Sequence, residues 1–212
     1  MDITKDFVNF ADRDLISQDD VEKLFNLKNE HVLKIIKQFV DLCKPSKITV
    51  ISDSKEDIKY VRQKAIVINE ETKLQINGHT IHYDSFYDQA RDKENTKVLI
   101  PKGEYRSPWI NTMDRDEGLK EVLEIMDGCM KGKECLVRFF CLGPINSKFT
   151  IGALQLTDSF YVAHSEDLLY RVGYEEFKIL MVLMISFTSS ILPVNSMEIL
   201  QLLKISINVE YL

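Results

Sequence analysis

Apolar residues recur along the first 177 positions at two different periods, and the switches between them outline an α/β chain. Val32, Ile35, Ile36, Phe39, Val40 and Cys43 fall at i, i+3, i+4, i+7, i+8 and i+11, one stripe of a helix. Asn29 is placed to cap that helix and Pro45 to end it. Ahead of it, Ser17 with Asp20 three residues on resembles a capping box and opens a short helix through Leu24 and Phe25. Lys47 to Ile51 (KITVI) is a β-branched run, hence a strand, and Asp53 and Ser54 offer caps for a helix carrying Ile58 and Val61. Ala65 to Ile68 reads as another strand. The stretch TKLQI-NG-HTIHY reads as a hairpin, with Asn77-Gly78 suited to a type I′ turn.

The second half continues the alternation. A strand is expected at Lys97 to Ile100, then a polar loop holding Pro101, Pro108 and Trp109. Asp114 to Met126 has helical spacing, with Leu119, Val122, Leu123 and Met126 inward. Glu134 to Leu142 (ECLVRFFCL) is apolar on both faces apart from Arg138, the pattern of a central strand. Two further strands are expected around Ile151–Leu156 and Phe160–Ala163, with a helix after Ser165. The pattern predicts an α/β fold with a mixed sheet and flanking helices, and shows no internal repeat.

After Phe177 the pattern breaks. Ile179 to Met197 is a run of 19 residues without a charge, and Glu198, Lys204 and Glu210 are the only charges beyond it. The run is near the minimum for a membrane-spanning helix. Ser186, Thr188, Ser189, Ser190, Asn195 and Ser196 weaken it, no basic cluster flanks it, and Pro193 would interrupt a core helix. Residues 1–177 are therefore expected to form one domain, and 178–212 a tail apart from it.

Composition narrows the function. With 45% hydrophobic and 28% charged residues the chain can build a core, and a net charge of −6 argues against nucleic-acid or basic membrane partners. Four cysteines at unequal spacings and no signal peptide point to a reducing cytoplasm and not a disulfide framework.

Few motifs carry chemistry by themselves. His79 and His82 lie three apart in the hairpin, on opposite sides of a strand, and read as exposed side chains, not metal ligands. Cys129, Cys135 and Cys141 are each six apart, a spacing for packing. The run Gly128-Cys-Met-Lys-Gly132-Lys133 is one residue short of a phosphate loop and puts Glu134 where a hydroxyl should bind magnesium. It reads as a helix-to-strand turn. Arg91 follows a short helical stretch (DSFYDQA) and precedes the strand at Lys97, where a guanidinium could hold a carboxylate through two parallel hydrogen bonds. An ion pair with Asp88, Asp92 or Glu94 is the simpler use of it.

The segment GCMKGKECLVRFFCLGPINSKFTIGALQLTDSFYVAHSEDLLYRVGYEEF, from Gly128, resembles the N-terminal domain of the GTP-dependent phosphoenolpyruvate carboxykinases. Upstream, QARDKENTKVLIPKG is similar to that family's A-R-x-x-x-x-T-x-V-x-x-P stretch, and DLCKPSKITVISDSKED to its beginning. Phe160 departs from the proline common after LTDS. The resemblance implies conversion of oxaloacetate and GTP into phosphoenolpyruvate, GDP and carbon dioxide, a gluconeogenic lyase using manganese or magnesium. It also implies that Arg91 binds the substrate carboxylate or carbon dioxide. The family's Y-G-G-N loop, metal-binding lysine, histidine and aspartate, and phosphate loop have no match in this chain. The expectation is therefore an inactive N-terminal fragment that binds neither nucleotide nor metal tightly. The alternative is a non-catalytic carboxylate-binding or interaction module that complements a separately encoded C-terminal half.

The tail also has a reading in another frame. Taking each codon's third base with the next two gives KNLNGSNDFFHFIHSSGE, in which Met181-Val182 must yield glycine and Met184-Ile185 aspartate. The family continues there with a Gly/Asp-rich turn, a D-F pair and H-S-x-G. One adenine lost at Lys178 would produce the switch, so residues 178–212 are expected to be out of frame.

Overall fold

The computed structural model describes residues 3–83, 97–104, 108–147, 149–179, 183–187 and 207–208. The chain opens with three helices, α1 (Ile3–Asp12), α2 (Gln18–Asn26) and α3 (Glu30–Cys43), followed by β1 (Lys47–Val50) and α4 (Lys55–Val67). A hairpin, β2 (Thr72–Lys73) and β3 (Thr80–Ile81), precedes β4 (Val98–Ile100), β5 (Thr112–Asp114) and α5 (Arg115–Met126). Then come β6 (Glu134–Leu142), β7 (Ile151–Thr157), α6 (Phe160–Leu169), β8 (Arg171–Val172), a single 3-10 turn (Glu176–Lys178), β9 (Leu183–Phe187) and β10 (Ile207–Asn208).

Side-chain caps set the helix starts. The Ser17 hydroxyl accepts from the Asp20 amide (3.1 Å) and Asn29 Oδ1 from the Val32 amide (3.2 Å). Ser54 accepts from the Asp57 amide (3.1 Å), and Asp114 from the amides of Asp116 and Glu117. Lys44 closes α3 in the left-handed conformation just before Pro45.

The main sheet has the order β1-β6-β7-β9-β10. β1 runs parallel to β6 from Lys47↔Glu134 to Val50↔Val137, and β7 runs antiparallel to β6 from Leu136↔Thr157 to Leu142↔Ile151. β8 takes the edge of β6 beyond β1, with Phe140 opposite Val172. Gly173 lets that edge close, since a Cβ there would sit 2.6 Å from Cys141 Sγ. β6 is the central strand, buried along its length as ECLVRFFCL predicts. Cys135, Val137 and Phe139 face the larger core, with Ile48, Val50, Leu154, Leu156 and the stripes of α1, α2 and α3. On the opposite face Leu136 packs with Ile51, Val61, Ala65, Phe160 and Ala163, under α4 and α6.

Several elements differ from the sequence expectation. Ala65 to Val67 continues α4: Val61 and Ala65, four apart, are both fully buried on one helix face, and helical packing overrides the β-branched run. Phe160 to Ala163 opens α6, because the Ser159 hydroxyl accepts from the Val162 amide (3.2 Å) and Phe160 and Ala163 share its buried face. In α5 the buried face is Gly118, Val122 and Met126, while Leu119 and Leu123 are exposed. A Cβ at Gly118 would meet Leu99 Cδ2 at 2.3 Å, so the glycine lets α5 lie close on β4. β5 pairs parallel with β4, from Val98↔Thr112 to Ile100↔Asp114. In the hairpin only Gly78 has positive φ (+80°), so the turn is not type I′; the His79 amide donates to Ile76 O across it. Within the uncharged run, Leu183–Phe187 is a strand parallel to β7 and not part of a helix. No helix among the described residues is long and apolar enough to cross a membrane.

Truncating Ile36, which has no exposed surface, is expected to cost about 2–5 kcal/mol in chemical denaturation, against about 0.5 kcal/mol or less for Leu168→Ala on the exposed end of α6.

Candidate functional site

Arg91, the residue singled out for a carboxylate, lies outside the described residues, as does the helical stretch read at DSFYDQA. The described residues before it are anchored. The chain leaves the hairpin at His82, whose Nδ1 is 2.6 Å from the Glu70 carbonyl and whose ring stacks on Tyr161, centroids 3.6 Å apart. The expectation of an exposed His82 is therefore corrected: it is half-buried against α6, whereas His79 is exposed. Sequence spacing could not show this, because Tyr161 is far away along the chain.

The anchor is the junction of β7 with α6, built from the LTDS motif. Thr157, Asp158 and Ser159 are all buried. Thr157 Oγ1 accepts from the Ser159 amide (3.1 Å). The Ser159 hydroxyl donates to Glu70 Oε2 (3.0 Å), and the Tyr161 amide donates to the same oxygen (2.6 Å). The Glu70 carboxylate thus sits at the positive N-terminal end of α6. One residue on, the buried Glu71 holds His164 Nδ1 at 2.6 Å. Sequence reasoning missed Glu70, Glu71 and His164; the only local sign is a pair of acids just after α4.

Asp158 joins this junction to the loop before β6. Its carboxylate has no exposed surface and is 2.5 Å from Lys133 Nζ. The loop carrying Gly128 and Gly132 is a helix-to-strand turn, both glycines at positive φ, with the Met130 side chain fully buried. That arrangement does not fit a phosphate cradle. Glu134 accepts from Thr49 Oγ1 (2.5 Å), Tyr60 Oη (2.8 Å) and Lys47 Nζ (3.1 Å). Burial pushes the Glu134 carboxyl up, but these donors outweigh it and hold it below the usual carboxylate range. Burial, reinforced by Glu134, pushes the Tyr60 phenol up.

A second polar node lies where β1 ends. Asp57 accepts from the amide (2.9 Å) and hydroxyl (2.6 Å) of Ser52 and pairs with Lys23 (3.0 Å); these donors overcome burial and lower its pKa. Asp53, expected as a cap for α4, instead accepts from the amides of Tyr174 (2.9 Å) and Glu175 (3.2 Å). Arg138, on the same face of the sheet as Gln155, ion-pairs with Asp167 of α6. Among the described residues no group of three His, Cys, Asp or Glu side chains could hold a metal ion, so the described part of this chain does not fit a metal centre.

The model of the phosphoenolpyruvate carboxykinase N-terminal domain family matches residues 34–192, running past Phe177 into the uncharged segment. The chain is 55% identical over 166 residues to a phosphoenolpyruvate carboxykinase [GTP] of Pyrococcus horikoshii, covering 78% of this chain and 27% of that protein. It is 57% identical over 163 residues to the protein of that name in Pyrococcus abyssi, covering 77% and 26%. With the one in Saccharolobus solfataricus it shares 43% identity over 172 residues, covering 81% and 27%. The chain thus spans about a quarter of the length of the curated relatives it matches.

Glu70→Ala is expected to lose about 1–2 kcal/mol in urea denaturation, with Glu70→Gln losing less, because the amide oxygen can still cap α6. Asp57 and Glu134 have folded pKa values below their unfolded ones. Their stabilisation is full above about pH 4–5 and is lost as pH falls through the folded values. Glu134→Gln should flatten the acid limb of a stability profile measured down to about pH 2.

Proposed function

The chain belongs to the phosphoenolpyruvate carboxykinase N-terminal domain family, and on that premise we propose that it is the substrate-binding, amino-terminal part of a cytoplasmic, gluconeogenic GTP-dependent carboxykinase. The observation that carries the reading is the 55–57% identity over three quarters of the chain to proteins of that name. Its reaction is oxaloacetate and GTP to phosphoenolpyruvate, GDP and carbon dioxide.

In this reading Arg91 holds a carboxylate of oxaloacetate or phosphoenolpyruvate. A guanidinium suits that task because its planar fork meets both carboxylate oxygens and keeps its charge at any physiological pH. Decarboxylation leaves an enolate, whose negative charge must be met by fixed cations. In the whole enzyme a divalent metal would supply positive charge to meet it and GTP would supply the phosphoryl group. Among the described residues no group of three His, Cys, Asp or Glu side chains is placed to hold that metal. The chain alone is then a binding module without turnover.

Residues 178–212 are read as out of frame after Lys178 on the family-like HSSGE of the alternative frame, against which stands the family match of the frame as written as far as residue 192. Resequencing the gene across Glu176 to Met181 tests this directly, with one extra adenine expected. A second reading, a module that complements a separately encoded C-terminal part, draws on the exposed Phe149, Leu168, Leu169 and Tyr170.

Calorimetric titration with phosphoenolpyruvate tests the central assignment. Wild-type chain should bind, and Arg91→Ala and Arg91→Lys should both weaken binding about tenfold or more. Equal affinity in all three would remove Arg91 from the site. The chain should release no GDP from GTP and oxaloacetate.

A further inference from the structure

Two thiols that carboxylate binding does not use meet where α3 ends and the loop after α5 begins. Cys43, the last residue of α3, is fully buried, and Cys129 is half-buried. The Gly128 amide donates to Leu42 O (2.8 Å) and the Met130 amide to Cys43 O (3.0 Å), so the backbone clamps residue 129 beside residue 43. Cys129 packs against the same core cluster that holds Cys43. Cys135, the third thiol nearby, is fully buried on β6 and donates to the carbonyl of Leu136 (3.9 Å).

We propose that Cys43 and Cys129 form a reversible disulfide site, which a small disulfide oxidant of the glutathione class closes to tie the end of α3 to the loop before β6. Cys129 is the more accessible of the two sulfurs and is therefore the attacking one, while its proximity and burial push the Cys43 thiol up. Cys129, as its thiolate, attacks one sulfur of the oxidant RSSR. The sulfur–sulfur bond breaks, RS⁻ leaves and takes up the proton that Cys129 gave up, and the mixed disulfide Cys129–S–SR remains. Cys43 then loses its proton and displaces the second RS⁻, which takes that proton. Two protein thiols and one RSSR become one protein disulfide and two RSH. The high barrier to ionising Cys43 makes the second step the slow one. The closed bond spans α4, the hairpin and α5, a long loop whose closure restricts the unfolded chain.

The test uses the purified 212-residue chain, reduced, then exposed to oxidised glutathione and digested for mass spectrometry. A linked peptide joining Cys43 and Cys129 is expected as the main product, with Tm raised by about 5 °C or more and both effects reversed by dithiothreitol. Cys43→Ser should leave glutathione on Cys129, and Cys135→Ser should change nothing. A stable glutathione adduct on Cys129 in the wild-type chain, a link from Cys129 to Cys135, or no cross-link would each overturn the proposal. The wild-type chain decides the outcome even where a serine variant fails to fold.

Discussion

A guanidinium in the middle of the central strand is the constraint on which the arrangement around the site depends. Arg138 is only 1% exposed, and its charge is met by Asp167 on α6, itself 4% exposed. Burial pulls the guanidinium's pKa down, while Asp167 and the more distant Asp53 and Asp57 hold its charge in place. Removing one partner of such a pair strands a buried ion at a cost of about 3–5 kcal/mol. α6 therefore has one way to lie across β6, with Asp167 over Arg138. Arg138 Nη1, Asp167 Oδ2 and Gln155 Oε1 have no partner among the described residues, so the pair serves orientation more than stability.

Fixing α6 fixes what is attached to its N-terminus. Ser159 and the Tyr161 amide hold Glu70, His164 holds Glu71, and Tyr161 stacks on His82. Asp158 reaches back to Lys133 in the loop before β6. Two stretches quoted for the family resemblance, the GCMKGK loop and LTDS, are thus joined by one ion pair. Arg91 lies in the sequence between Tyr83 and Lys97; the hairpin side of that stretch is tied to α6, and β4 on the other side is tied to β5 and packed by α5.

Local chemistry was the legible part of the chain. Ser17, Asn29 and Ser54 announce their helices because a cap and its amide lie three residues apart. The α3 stripe and the doubly apolar β6 are equally visible, since each pattern lies within one element. Ala65–Ile68 and Phe160–Ala163 have the sequence pattern of strands because their β-branched and aromatic residues favour strands until a cap or a packed helix face overrides them. The partners of Arg138, Glu70 and His82 lie in other elements, and no local period can reveal them. Arg91 gained its role from resemblance, not from its neighbours in sequence.

The most direct measurement is native-state hydrogen exchange in an Asp167→Asn variant that still folds. If α6 is held by Arg138 and in turn holds the hairpin, protection of the Tyr161 amide and of the Leu74 and His79 amides should fall together, each by about tenfold or more. Hairpin amides that keep their full protection while α6 loosens would contradict the account.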